Sequence, residues 1–380
     1  MDFEWTEEGM SLRSEAVAFG KALNGGVSED DRTGRFPAEK WQRLAEWGYF
    51  GLCVPAEFGG AGVDPSIGLL ATEGLGEGCE DGGLNFSAAV QAWVVITALM
   101  KYATEDQKRR YLPGLAAGST IGSLAITETE SGSDAFAMRT RATEVDEGWS
   151  IAGRKTFITN APAAHLVVCF AATGEGGALG GVSVFLVDTD IPGVERGPSV
   201  AKMGLRTSPM GDVVFDDVVV TRESALGKIG AGVMIFNEIL EWERIWPTAL
   251  QLGALQRDLD EARSYAKQRK AFGAPIASFQ SVANRIVDMK LRLEAGRLLV
   301  YRAAWLKAQG RSALAEAALA KLWVSESAVA STLDSLQVHG GYGYMTEAGI
   351  ERRLRDAVGG RIYSGTSEMQ RAIVGRSMGL

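Results

Sequence analysis

Hydrophobic periodicity changes twice along this chain, and that double change restricts the possible folds more than any other feature. Residues 11–118 read as helices cut by glycine loops: PAEKWQRLAEWG places Pro37 near a helix entry and Gly48 at its end, and the loop PAEFGGAG follows. WSIAGRKTFI, HLVVCFAAT, VSVFLVDT and DVVFDDVVV are then short β-branched or aromatic runs separated by Gly, Asp, Asn and Pro, the pattern of strands. Beyond Gly232 the helical period returns, with Val282, Ile286, Met289, Leu293, Gly296, Val300 and Ala303 recurring in alternating steps of four and three. ALQRDLDEARSYAKQRK and residues 312–337 supply further helices, so the last third is expected to form an antiparallel bundle. The expected fold is α+β in three domains: helical over 1–120, β over 121–228 and helical over 229–380. The glycine-rich GEGGALGG at 174–181 reads as a strand-to-strand loop.

Composition removes several function classes. A net charge of -8 without a long basic run argues against nucleic-acid binding, which needs clustered Lys and Arg for phosphate. Cys53, Cys79 and Cys169 are odd in number and widely spaced, so neither a disulfide framework nor a cysteine zinc site is expected, and a reducing cytoplasm fits. MDFEWTEEGM has no basic n-region or apolar h-region, and no apolar run reads as approaching the roughly 20 residues of a bilayer span. The expectation is a soluble cytoplasmic protein without membrane insertion. His165 and His339 stand far apart, which weakens schemes built on a His dyad, a Ser-His-Asp triad or a metal site.

Conventional nucleotide and metalloprotease signatures are missing, and GLGEGC near residue 74 lacks a third glycine and follows a helical pattern. What remains is a set of polar loops. AITETESGSD at 125–134 offers hydroxyls and turn amides suited to phosphate or cofactor oxygens, although composition alone favours a turn capped by Ser and Asp. FITNAP at 157–162 ends a strand with an aromatic, a hydroxyl and an amide that can lie beside a flat ring, or simply form a turn. RKAFG at 269–273, QVHGGYGY at 337–344 and IYSGTSEMQ at 362–370 add an Arg, glycine-rich approaches and further hydroxyl and amide donors.

In this order, over nearly the whole chain, these segments resemble the acyl-CoA dehydrogenase family of flavoproteins. The resemblance rests on T-E-x-x-x-G-S-D at 127–134, F-I-T-N at 157–160, R-x-x-F-G at 269–273, Gln280, Q-x-x-G-G at 337–341 and Y-x-G-T-S-E-x-Q at 363–370. It implies an N-terminal helical domain, a central β-barrel-like domain and a C-terminal four-helix bundle, with bound FAD and a homotetramer built as a dimer of dimers. It also implies that Thr127, Phe157 and Thr159 line the flavin ring, and that Ser133 lies by the cofactor phosphates or the thioester tail. Arg269, Phe272 and Gln280 would reach across a dimer interface toward the partner's FAD, and Gln337, Gly341, Thr366 and Glu368 would hold its adenosine half.

One departure matters more than the matches. Most of the family carries a glutamate before G-T-S that removes the substrate α-proton; here that position is Ser364, and serine without a partnering base cannot do this near neutral pH. A minority resembling isovaleryl-CoA and long-chain acyl-CoA dehydrogenases carry the glutamate on an earlier helix, just before an Arg, where this chain has Glu243-Arg244 within LEWERIWP. Glu241 and Glu243 stand about 200° apart on a helix, so at most one can face the flavin. Pro247 cannot donate to the carbonyl of Glu243, so a distorted helix is expected there; an exposed acidic patch on a kinked helix is the plainer alternative. The resemblance then implies that Glu243 takes the α-proton of a thioester while the β-hydrogen leaves as hydride, with Arg244 and Ser364 beside the substrate. The Ser364 backbone N–H would hold the carbonyl, and burial would raise the glutamate pKa.

W-E-R, the N-A-P after F-I-T, and S-G-T-S resemble dehydrogenases of acyl or aminoacyl groups tethered to carrier proteins, such as prolyl-carrier-protein dehydrogenases. A carrier-bound thioester is therefore placed ahead of a CoA thioester, with an electron-transfer flavoprotein as acceptor. The alternatives are an ordinary short- or branched-chain acyl-CoA dehydrogenase, a flavin oxidase or monooxygenase on the same scaffold, and a non-enzymatic helical scaffold. Trp93, in VQAWVVI, reads either as the floor of an acyl pocket or as core.

Overall fold

The computed structural model describes residues 5–174 and 181–380, so the reading of 174–181 as a loop falls, over 175–180, outside the described residues. The first helices are α1 (Glu7–Ala22), α2 (Val27–Thr33), α3 (Ala38–Glu46), α4 (Pro65–Gly78), α5 (Gly82–Ala89), α6 (Ile96–Tyr102) and α7 (Glu105–Ala116). Their starts are locally encoded. Thr6 accepts from the Gly9 N–H at α1, Asp64 accepts from Ser66 ahead of Pro65 at α4, and Thr104 and Gln107 form a reciprocal capping box at α7.

A π-helical turn, Val90–Val95, joins α5 to α6. The joined stretch Gly82–Tyr102 is 21 residues long with mean hydropathy 1.5, which corrects the expectation that no apolar run would reach spanning length. It is a core element, since 83% of its apolar window is buried in the fold.

The central strands are β1 (Gly122–Ala125), β2 (Arg141–Val145), β3 (Gly148–Thr159), β4 (Leu166–Ala172), β5 (Val182–Asp188), β6 (Val194–Arg196) and β7 (Met210–Thr221). They form one curled sheet in the order β1-β4-β2-β3-β7-β6, with β5 antiparallel to β4. Trp149, Ile151, Phe185, Phe215 and Val218 pack together as its core. Between Lys155 and Ile158 the β3–β7 register slips, and the bulge leaves Phe157 62% exposed.

The C-terminal domain holds α8 (Gly232–Gln268), a hairpin of β8 (Lys270–Ala271) and β9 (Ala274–Pro275), α9 (Gln280–Ala308), α10 (Leu314–His339), α11 (Ile350–Gly359) and α12 (Ser367–Ser377). α10 packs on α8, α9 and α12 in a bundle, and α8 also packs on α4. That second contact depends on two glycines: a Cβ on Gly76 would stand 2.2 Å from the Leu250 carbonyl oxygen, and one on Gly253 would stand 2.0 Å from that of Glu73. α8 runs as a 37-residue helix with Pro247 inside it. Pro247 itself is buried among its neighbours.

Trp93 belongs to the core. Its Nε1 donates to the Tyr49 hydroxyl at 3.1 Å, and its ring stacks on Trp246 at 4.0 Å, which in turn stacks on Trp242 at 5.4 Å. Trp93→Ala should therefore cost about 3–5 kcal/mol of stability, the usual loss for a deleted core aromatic. Denaturant melts of the variant and the parent protein check the size of that loss.

Candidate active site

A cleft of about 1360 Å³ opens where the curled sheet, α5 with its π turn, α8, and the turn before α12 meet. Thr127, Ser133, Phe157 and Thr159 line it from the β domain, Glu243 and Arg244 from α8, and Ser364 and Thr366 from the turn. Val90 and Val94 line it from the π turn, while Trp93 is not among the lining residues, so the pocket-floor reading of Trp93 is not what the structure shows. A neighbouring void of 90 Å³ shares Phe86, Leu205 and Tyr363 with the cleft, and has room for only a few waters.

The two candidate glutamates are separated as helix geometry requires. Glu241 is 5% exposed and accepts from Lys307 Nζ at 2.9 Å, Ser312 Oγ at 2.9 Å and the Ala313 N–H at 3.0 Å, so it ties α8 to the start of α10. Glu243 faces the cleft, and its Oε1 accepts from Ser364 Oγ at 2.9 Å. Burial pushes the Glu243 carboxyl above the usual carboxylate range, against the opposing pull of Ser364, Arg244 and Lys321. The Arg244 guanidinium is 4% exposed, and its Nε and Nη1 have no hydrogen-bond partner among the described residues.

Backbone strain gathers at the same place. Phe157 has φ 58, Asn160 has φ 67 and Ser364 has φ 55, all left-handed and all non-glycine. Such conformations persist only where surrounding contacts impose them. At Ser364 those contacts are visible: Gln370 Nε2 donates to the carbonyls of Ser364 at 3.1 Å and Gly365 at 2.8 Å, and Lys321 Nζ donates to Gly365 at 2.7 Å. At the 127–134 loop the anchor is Glu128, which accepts from the Arg139 and Thr140 N–H groups at 2.6 and 2.9 Å and from the buried Lys155 at 2.8 Å. Burial alone would raise the Glu128 carboxyl, but Lys155 and these donors hold it down at about 2.

The motif reading omitted Glu128, Lys155, Lys321 and Gln370 from the site. Glu128 and Gln370 stand inside the motifs at 127–134 and 363–370, and Lys321 interrupts the apolar run ALAKLWV, which is the signal that could have found it; Lys155, between Arg154 and Thr156, carries no such signal. Arg269, Phe272, Gln280, Gln337, Gly341 and Glu368 are exposed and do not line this chain's cleft. Phe272 is 97% exposed at φ 52 in the β8–β9 hairpin. Thr366 differs from that group: it lines the cleft beside Ser364 and caps α12.

Three family descriptions match the chain in succession: the acyl-CoA dehydrogenase N-terminal domain over 6–119, middle domain over 123–218 and C-terminal domain over 230–379. The chain belongs to the acyl-CoA dehydrogenase family. It is 41% identical to an L-prolyl-(peptidyl-carrier protein) dehydrogenase of Pseudomonas fluorescens, over 91% of each chain. The crystal structure of the prolyl acyl carrier protein oxidase AnaB superposes with TM-score 0.97 at 36% identity, covering 99% of this chain and 100% of AnaB. The FAD complex of PigA superposes equally well, with TM-score 0.97 at 36% identity and 100% of both chains covered.

The raised carboxyl of Glu243 has a consequence for stability. Below the ordinary carboxylate range both folded and unfolded chains hold this proton; as pH rises, the unfolded chain releases it first and native stability falls. Glu243→Gln should therefore melt at a higher temperature than the parent near neutral pH, with the gap closing on acidification. Calorimetric scans across pH check the sign.

Proposed function

We propose that this chain binds FAD in the cleft and dehydrogenates the Cα–Cβ bond of an acyl or aminoacyl thioester, with Glu243 as the α-proton base. The observation that supports this reading most is that Glu243 faces a large cleft beside Arg244 and accepts a hydrogen bond from Ser364, which stands where most of the family carries its base. The residues suit the cofactor: Phe157 offers an exposed flat face at a bulge, and the hydroxyls of Thr127 and Thr159 line the same wall. When bound, FAD supplies the hydride acceptor for the β-hydrogen.

Ser364 Oγ occupies Oε1 of Glu243, which leaves Oε2 to take the α-proton. The raised carboxyl makes it a stronger base once ionised. The Ser364 N–H has no backbone acceptor among the described residues, so it is available to the thioester carbonyl as charge develops there. Arg244, with unpaired N–H groups, adds positive potential beside Glu243 and the substrate. Ser133 serves the cofactor phosphates or the thioester tail.

Similarity to enzymes of prolyl-carrier proteins favours a carrier-bound substrate over a CoA thioester, although both present the same reacting atoms. An electron-transfer flavoprotein is the proposed acceptor. Direct reaction with oxygen is the second reading, supported by the similarity to an oxidase. Oxygen uptake with substrate separates the two. The free thiols Cys53, Cys79 and Cys169 suit the cytoplasm.

Glu243→Gln should keep FAD yet lose substrate-dependent flavin reduction by at least ~100-fold, the scale of a general base. Glu241→Gln should melt earlier but reduce flavin at the parent rate per bound FAD. Stopped-flow absorbance with carrier-bound and CoA thioesters reads both, and full activity in Glu243→Gln would refute the base.

The assembly reading rests on α9. Val287, Leu291, Leu298 and Trp305 recur at steps of four, seven and seven along it, each more than half exposed, and Trp323 and Leu333 are exposed on α10. An apolar stripe of this kind is covered in stable proteins. We assign it to the homotetramer core, with Arg269, Phe272, Gln280, Gln337, Gly341 and Glu368 reaching the partner's FAD. Leu291→Glu/Leu298→Glu should reduce the assembly to smaller species in light scattering; an unchanged mass would sink this assignment.

A further inference from the structure

Lys321 lies on α10 in the apolar run ALAKLWV and is 2% exposed. Burying an ammonium group is costly unless charge and hydrogen bonds compensate. Its one direct acceptor among the described residues is a backbone carbonyl, that of Gly365, at 2.7 Å. The Tyr363 ring lies beneath it at 5.9 Å. A lysine in this setting needs a reason, and the turn it touches supplies one.

We infer that Lys321 is a positioning residue, which clamps the Ser364–Gly365 turn so that Ser364 holds Glu243; the inference rests on the dehydrogenase reading above. Ser364 and Gly365 are both left-handed, at φ 55 and 86, and a serine does not hold that conformation unaided. Gln370 and Lys321 together fix the Gly365 carbonyl, and Gln370 fixes that of Ser364. With both carbonyls tied to α10 and α12, the Ser364 hydroxyl is left to meet Glu243 at 2.9 Å and its N–H is left without an internal acceptor.

The clamp is also sensitive to charge. Arg244 and Glu243 face Lys321 from α8, Glu326 from α10, Glu368 from α12, and Tyr363 from the turn. Burial, followed by Arg244, lowers the Lys321 pKa to about 8, against the pull of Glu243, Glu326 and Glu368. Above that pH the amine is neutral, and its bond to the Gly365 carbonyl loses its ionic assistance.

The test uses the FAD-loaded enzyme and the variants Lys321→Met, which keeps length without charge, and Lys321→Arg, which stays charged at every working pH. Amide exchange by mass spectrometry needs no substrate: in Lys321→Met, peptides spanning 361–369 should exchange at least about tenfold faster while those of α9 stay unchanged. In stopped flow, Lys321→Met should slow flavin reduction about tenfold with KM moved less than about twofold. The parent rate should decline near pH 8, Lys321→Arg should recover most of the rate, and neither variant should show the decline. Parent-like exchange in Lys321→Met overturns the clamp. Faster exchange with the parental pH profile makes Lys321 merely structural and also overturns the proposal. If Lys321→Met does not fold, a decline near pH 8 that persists in Lys321→Arg overturns it. If no thioester reduces the parent flavin, the dehydrogenase reading falls, and the exchange experiment still decides the clamp.

Discussion

A helix turns about 100° per residue, and much of this structure follows from applying that constraint to α8. Residues 236, 240, 243 and 244 line the cleft, whereas Glu241 is turned to Lys307 and the start of α10. Further along, Trp246 continues the indole stack and Gly253 lets α8 touch α4. The same helix therefore carries the proposed base on one side and the main interdomain packing on the others. Rotating Glu243 away from the cleft would require breaking the Trp93–Trp246 stack and the α4–α8 backbone contact together. The core thereby sets where the carboxylate sits.

Four glutamates in the interior differ in the number of donors each receives. Glu73 accepts from Arg13, Arg297 and Tyr301, Glu128 from two backbone N–H groups and Lys155, and Glu241 from Lys307, Ser312 and the Ala313 N–H. Each joins segments distant in sequence. Glu243 has one hydroxyl donor, and burial outweighs its neighbours, so its carboxyl goes up while that of Glu128 goes down. A carboxylate saturated with donors is a structural tie; one left short of them keeps a lone pair for a proton.

Strongly periodic parts of the sequence were legible. The steps of four and three in α9 and the β-branched runs of β3, β4, β5 and β7 lie where periodicity placed them. β1, β2 and β6 were not recognised, because GSLA and VER are too short to show a period and RATEV is largely polar. Pro247 removes one helical N–H without ending α8, which packs on α4 and α10 along its length. The cleft residues were legible mainly through motif resemblance. The groups that hold them, Lys155 on β3 and Lys321 on α10 above all, are not singled out by any motif, and only three-dimensional placement shows what they bind.

The presence of Ser364 opposite Glu243 also becomes intelligible from geometry. Position 364 and Glu243 meet across 2.9 Å, so both border the same volume, one from the turn and one from the helix. Two carboxylates at that distance could not both ionise without strong mutual repulsion, and one would hold its proton at neutral pH. A serine at 364 avoids that conflict, keeps the backbone N–H of the turn, and supplies the one hydroxyl that orients the remaining carboxylate. On the proposed reading the base stands on the helix, and the turn supports it.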